Sequence, residues 1–158
     1  MEAQTTLIQI DARETQVCNR ALGGAGMLRL PIGSARPGAR SFRNQIPTPL
    51  ELEEAINGVE DAVMPLARTL PRGSVLVTCD GLARELAALL RLPAPGDAEL
   101  TLQDVEHVFS QLAAVAQGRP LASSGLPADP AFAGYLVILR EFMHHLGFER
   151  VTVLREDA

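Results

Sequence analysis

Asp11 closes a short apolar run, Leu7-Ile8-Gln9-Ile10, and Ala12-Arg13-Glu14-Thr15 follows it. A carboxylate at the end of an apolar strand can hold a metal-bound water or a phosphate-bound cation. Backbone N–H groups wrap a phosphate only where side chains stay clear, which glycine permits. Here Arg13 and Glu14 fill the turn instead. These residues outline a nucleotide or polyphosphate site and omit its cradle.

Little else in the chain carries chemistry. His107, His144 and His145 lack partners at metal-ligand spacing. His144 and His145 fall in the last turn of a predicted helix, where a cation is favourable in any case. No Gly-x-Ser-x-Gly, Walker-type or dinucleotide glycine motif occurs. Ser123-Ser124 is a loop pair without a visible base. Cys18 and Cys79 are far apart in sequence and read as reduced core thiols, which places the chain in the cytoplasm.

Charge is distributed unevenly. The net charge is −5, which argues against nucleic-acid binding. Between Thr15 and Leu50 there is no acid, yet Arg20, Arg29, Arg36, Arg40 and Arg43 all occur, and the chain has no lysine. Two readings stand: a composition that encodes arginine for lysine, or an edge that faces phosphate oxygens. Glu51, Glu53, Glu54, Glu60 and Asp61 then follow on one helical segment.

The elements that must position these groups fit one domain. The 158 residues are 47% hydrophobic and 21% charged, enough to build a core without a metal or disulfide staple. No run approaches the ~18 apolar residues of a membrane span. The start, Met1 to Thr6, has no basic or apolar leader pattern, so no signal peptide is predicted.

Strands are predicted at Leu7–Asp11, Gln16–Ala21, Met27–Ile32, Ser74–Thr78 and Arg150–Leu154. Thr48, Pro49 and Glu51 form a helix start with a capping box, and Leu52, Ile56, Val59, Val63 and Leu66 follow as a stripe. Pro65 ends or kinks that helix. Further helices are predicted at Gly81–Arg91, from Thr101 and Asp104 onward, and from Asp129-Pro130 through His145, with Gly147 as the stop. Pro93–Glu99 reads as a loop. Three hairpin-linked strands followed by helix–strand units predict an α/β layer fold with a mixed five-stranded sheet and helices on both faces. The right-handed crossover rule sets the fourth strand parallel to the first, with the fifth beyond it. A ribonuclease-H-like (actin-like ATPase) domain and a doubly wound open sheet both satisfy this pattern.

In this order the segments resemble the second domain of the exopolyphosphatase / guanosine pentaphosphate phosphohydrolase (Ppx/GppA) family. Leu7-Ile8-Gln9-Ile10-Asp11 is similar to that domain's opening strand and aspartate, and Thr15-Gln16-Val17 to its Thr-Glu-Leu. Leu30-Pro31-Ile32-Gly33 is similar to Leu-Pro-Leu-Gly, with Phe42 near a following Glu-Arg-Phe. Gly81-Leu82-Ala83-Arg84-Glu85-Leu86-Ala87 is similar to Gly-Thr-Ala-Arg-x-Leu-Ala. Gly125-Leu126-Pro127 and Val151-Thr152-Val153 match later blocks, and Leu154-Arg155-Glu156 is similar to a closing Leu-Arg-Glu.

The resemblance implies the ribonuclease-H-like fold and hydrolysis of polyphosphate or guanosine pentaphosphate with Mg²⁺. It puts Asp11 and Gln16 at catalytic positions and Asp11 at a metal position. Ligand contacts are implied at Asp11, Arg13, Thr15, Gly33, Gly81 and Arg84. It also implies a phosphate-rich small molecule as the bound partner, while the net charge and the lack of a long apolar run predict no nucleic acid and no membrane partner. Departures from the family pattern weigh against activity. The family's Asp-x-Gly-Gly-Gly-Ser-Thr-Glu is here Asp11-Ala12-Arg13-Glu14-Thr15-Gln16, shorter and without glycine. A neutral Gln16 stands where the family has an acid. Asp80 precedes Gly81 in place of a second glycine, and like charges about 4 Å apart cost ~4 kcal/mol at an effective dielectric near ~20. An Arg and an Asp expected before the last long helix are lost around Asp129–Phe132. The family works in a cleft between two domains, and this chain matches only the second, so a first domain or a second copy is expected to complete it. Three classes of function remain open: a degenerate relative that binds an anion or partner, the working half of a phosphate-anhydride hydrolase, or a structural dimerisation module.

Overall fold

A computed structural model describes residues 4–92 and 96–155. Residues 93–95 of the expected Pro93–Glu99 loop, residues 1–3 of the expected start, and Glu156 lie outside the described residues. The strands are β1 (Thr5–Ile10), β2 (Thr15–Cys18), β3 (Met27–Leu30), β4 (Val75–Thr78), β5 (Ala98–Thr101) and β6 (Arg150–Val153). The helices are α1 (Pro49–Val63), α2 (Gly81–Leu89), α3 (Leu102–Ala116) and α4 (Pro130–Leu146). A 3-10 turn, Met64–Arg68, continues α1 past the point where Pro65 removes a backbone donor.

The sheet is mixed and six-stranded, in the order β3-β2-β1-β4-β6-β5. Strands β1, β2 and β3 form an antiparallel meander, while β1, β4 and β6 run parallel. The predicted crossover therefore holds, with the last strand beside β4. The extra strand is β5, which pairs antiparallel with β6 from Ala98↔Val153 to Thr101↔Arg150. It occupies the end of the expected loop. Its four residues have no local signal of their own and are ordered by this nonlocal partner.

Helix starts follow the capping chemistry. Thr48 and Glu51 close a reciprocal box on α1, and Thr101 and Asp104 do the same on α3. Gly147 stops α4 with a left-handed φ of 74°. Helix α4 is buried on nearly every side from Phe132 to Leu139, because α1 and α3 both pack on it. Phe142 of α4 stacks on Phe148, just past the helix end, with 5.7 Å between centroids.

The buried strand positions Ile8, Ile10, Val17, Leu76, Leu100, Val151 and Val153 share one face. On the other face Leu7, Cys18, Val77 and Thr152 are partly exposed, and Val75 is 44% exposed. Among the described residues the helices thus cover one face, where two covered faces were expected. The reason is geometric. The crossovers β1→β4 and β4→β6 step in the same direction across the sheet, so right-handedness puts both sets of helices on the same side. Cys79 is exposed and Cys18 partly buried, so neither is the core thiol expected.

Candidate functional site

In open α/β sheets, ligands sit beyond the carboxyl ends of the strands where connections diverge. Here that point lies between β1, which turns back into β2, and its parallel neighbour β4, which runs into α2. Asp11 follows β1 and Asp80 follows β4, as the sequence order requires.

Asp80 spans the gap. Its Oδ2 accepts the Ile10 backbone N–H at 3.0 Å and the Tyr135 hydroxyl at 2.9 Å. Thr78 Oγ1 accepts the Asp80 N–H at 3.1 Å. Although Asp80 stands at the N-cap of α2, its side chain makes no cap hydrogen bond there. The carboxylate has turned from its own helix toward β1. Burial pushes its carboxyl above the ordinary aspartate value, the bonds from Ile10, Tyr135 and Thr78 pull it back, and the charge of Asp11 raises it further. Burial, and then the Asp80 charge, hold the Tyr135 phenol well above its usual range, so it remains a donor.

Asp11 itself is held by its neighbours. Its Oδ1 accepts Gln9 Nε2 at 3.2 Å, and its backbone N–H bonds to Glu14 O at 2.9 Å across the turn. Gln16 Nε2 donates to Glu14 Oε1 at 3.2 Å. The loop Gly33–Arg36 closes over this turn. Ser34 N donates to Asp11 O and Ala35 N to Ala12 O, both at 2.9 Å. A Cβ on Gly33 would collide with the Ala12 carbonyl and the Arg13 nitrogen. Gly33 is therefore glycine because two backbones meet there. That contact also lays protein over the turn where a phosphate would be cradled.

The remaining predicted positions separate. Thr15 is fully buried and donates to Ile32 O at 2.8 Å, which makes it part of the core. Arg13 is exposed and forms no ion pair with Asp11. Gly81 is exposed with room for a Cβ. Arg84 is partly buried, and its NH1 reaches back to Cys79 O at 2.7 Å. The fold thus brings Asp11, Gln16 and Arg84 to one end of the sheet, where Gly33 packs on the turn after Asp11 and Thr15 is buried in the core. Tyr135 was missed. The signal was available: it is the chain's single tyrosine, and it lies in a long apolar helix where its hydroxyl requires a partner.

A divalent ion does not suit this donor set. Asp11 faces the Gln9 amide, Asp80 is committed to two donors, and the Gln16 amide carries no charge. Among the described residues no three His, Cys, Asp or Glu side chains converge.

No protein-family model matches the chain, and neither does any curated protein sequence. Solved structures do match. The chain is similar to a Ppx/GppA phosphatase of Aquifex aeolicus, at 14% identity and a TM-score of 0.69, over 98% of this chain and 54% of that one. An exopolyphosphatase from Cytophaga hutchinsonii gives 15% identity and 0.69, over 98% and 54%. An exopolyphosphatase-like protein gives 15% and 0.68, over 99% and 56%. The chain spans about half the length of these structures. At such identities the likeness establishes the fold, which is the ribonuclease-H-like, actin-type α/β fold.

Proposed function

We propose that this chain corresponds to the second, C-terminal half of a Ppx/GppA-type phosphatase and does not hydrolyse phosphate anhydrides by itself. The supporting observation is the Asp80 carboxylate, held between the Ile10 N–H and the Tyr135 hydroxyl. A phosphate chain entering this crevice would have to displace a charge of its own sign from a partly buried place. The glycine-free turn at Arg13-Glu14 and the uncharged Gln16 act in the same direction. On this reading the domain binds rather than turns over.

The preferred ligand is an anionic, phosphate-rich molecule that meets the arginine-rich segment outside the closed crevice. Arg13, Arg20, Arg29, Arg40 and Arg43 form no ion pair among the described residues. Arg36 instead donates from Nε and NH2 to Ala39 O.

Phosphate release from polyphosphate and from guanosine pentaphosphate, with Mg²⁺ present, tests the catalytic half of this proposal. Release at the level of the buffer blank is expected. Mg²⁺-dependent release that scales with protein concentration would overturn it. Thermal shift with tripolyphosphate tests the binding half. A ligand at about 100 times its dissociation constant adds ~2.7 kcal/mol, so an unmoved melting temperature at millimolar ligand rejects it.

A further inference from the structure

We infer that the cavity at the amino ends of β4 and β6 is a binding site for a small organic anion with an apolar body, and that His145 recognises its charge. The cavity holds about 850 Å³, a volume suited to a small molecule, and lies at the end of the sheet opposite the Asp80 crevice. Leu70, Arg72, Ser74, His145, Phe148 and Arg150 are among the residues that line it. The site is separate from the crevice and does not depend on how the crevice is read.

Helix α4 carries the first sign of it. Glu141 is 2% exposed and is the only charged side chain buried among the described residues. A core does not require such a carboxylate, since buried ion pairs are often replaceable by apolar side chains without loss of stability. Both of its oxygens are committed. Oε1 accepts Arg140 NH1 at 2.7 Å, and Oε2 meets His145 Nε2 at 2.8 Å. The Arg140 guanidinium lies over the Phe109 ring, 4.3 Å from its centroid. Glu141 is thus neutralised on one side, and on the other it fixes the imidazole of His145.

That arrangement leaves His145 Nδ1 without a hydrogen-bond partner among the described residues. The atom is not sealed in the core, because Arg140 Nε is the only buried side-chain nitrogen or oxygen there that lacks a partner. With the ring neutral, Nε2–H is given to Glu141 and Nδ1 is an acceptor; with a second proton both nitrogens donate. An anion at Nδ1 selects the second form. Its proton comes from solvent, and the imidazolium then stands between the Glu141 carboxylate and the bound anion. Glu141 is therefore a positioning residue, acting through His145.

The other lining groups describe the rest of the ligand. Ser74 Oγ is spent on Thr6 Oγ1 at 2.8 Å, and Arg150 pairs with Glu99 at 3.3 Å. Arg72 is exposed and has no ion pair among the described residues, so it supplies a second cation for the same anion. Buried Leu70, Leu76 and Phe148 form an apolar wall, with the Phe148 ring stacked on Phe142. Glu149 also lines the cavity, as an exposed acid that would favour a cation, and the test includes that outcome.

Three probes share one apolar body: 3-phenylpropionate, its neutral amide and 3-phenylpropylamine. Backbone amide NMR reads affinity and location together. Saturable shifts at Arg72, His145 and Phe148 are expected with the propionate, while the Ile10 amide in the crevice stays in place. The amide and the amine should bind about tenfold more weakly or worse, and His145→Gln or Arg72→Gln should weaken the propionate by about tenfold. Glu141→Gln should lower affinity for the propionate and leave that for the amide unchanged, whereas a merely structural role would lower both alike. Should that variant fail to fold, His145→Gln still decides, since its side chain is partly exposed. Four results would overturn the proposal: no saturation at ~10 mM propionate, amine binding equal to or tighter than propionate binding, propionate affinity unmoved by His145→Gln, or equal losses for propionate and amide in Glu141→Gln.

Discussion

Replacing Gly134 with valine is expected to cost about 3 kcal/mol of stability. Gly134 lies on the buried face of α4, and a Cβ there would overlap the Ser34 carbonyl oxygen, with Ser34 C at 2.9 Å. Because the obstacle is backbone, no side chain can rotate aside. In an open helix the loss of glycine would gain stability, since glycine is the poorer helix former by about 1 kcal/mol. The overlap decides the sign here. Gly134→Ala should fall in the same direction by a smaller amount. The consequence extends to the crevice. Ser34 N holds Asp11 O, and Tyr135, the next residue on α4, holds Asp80. A helix forced off the Ser34 loop loosens both. Urea unfolding checks this, and a valine variant with an unchanged midpoint would contradict the packing described.

At Asp80 the two informative substitutions should diverge. Asp80→Ala leaves the Ile10 N–H and the Tyr135 hydroxyl without their shared acceptor, a loss of about 2 kcal/mol. Asp80→Asn retains an oxygen acceptor for both and removes the charge. Its effect is in the pH dependence. The folded-state carboxyl titrates above the ordinary aspartate value of 3.8, so the native state holds its proton longer than the unfolded chain does. That contribution is complete below the ordinary value and is lost as pH rises through the raised one. Stability of the unaltered chain relative to Asp80→Asn should therefore decline from acid toward neutral pH. A relative gain over the same range would show that the carboxylate is stabilised as an anion.

Much of this fold is legible in local chemistry. The boxes at Thr48/Glu51 and Thr101/Asp104, the stop at Gly147 and the alternation of β1 each depend on residues within a turn of one another. What escaped depends on distance. Strand β5 exists because β6, about fifty residues later, offers an edge. Gly33 reads as a loop glycine near a ligand, and its cause is the Ala12–Arg13 peptide pressed against it. Asp80 was visible as an acid in a place for glycine. Its two donors, however, come from residues 70 and 55 positions away, so repulsion could be read in the sequence and closure could not. Tyr135, the single tyrosine, signals a hydroxyl that needs an acceptor, but that acceptor is Asp80, too far away in sequence to be read as its partner.

In this structure the Asp80 carboxylate already fills the crevice between β1 and β4. Backbone amide NMR reads this directly at Ile10 and Gly81, during titration with tripolyphosphate and Mg²⁺. Both amides should stay in place while resonances of the arginine-rich segment, such as Arg40 and Arg43, shift. Saturable movement of the Ile10 and Gly81 amides in the unaltered chain would mean that phosphate enters the crevice, and the closure at Asp80 would have to be abandoned.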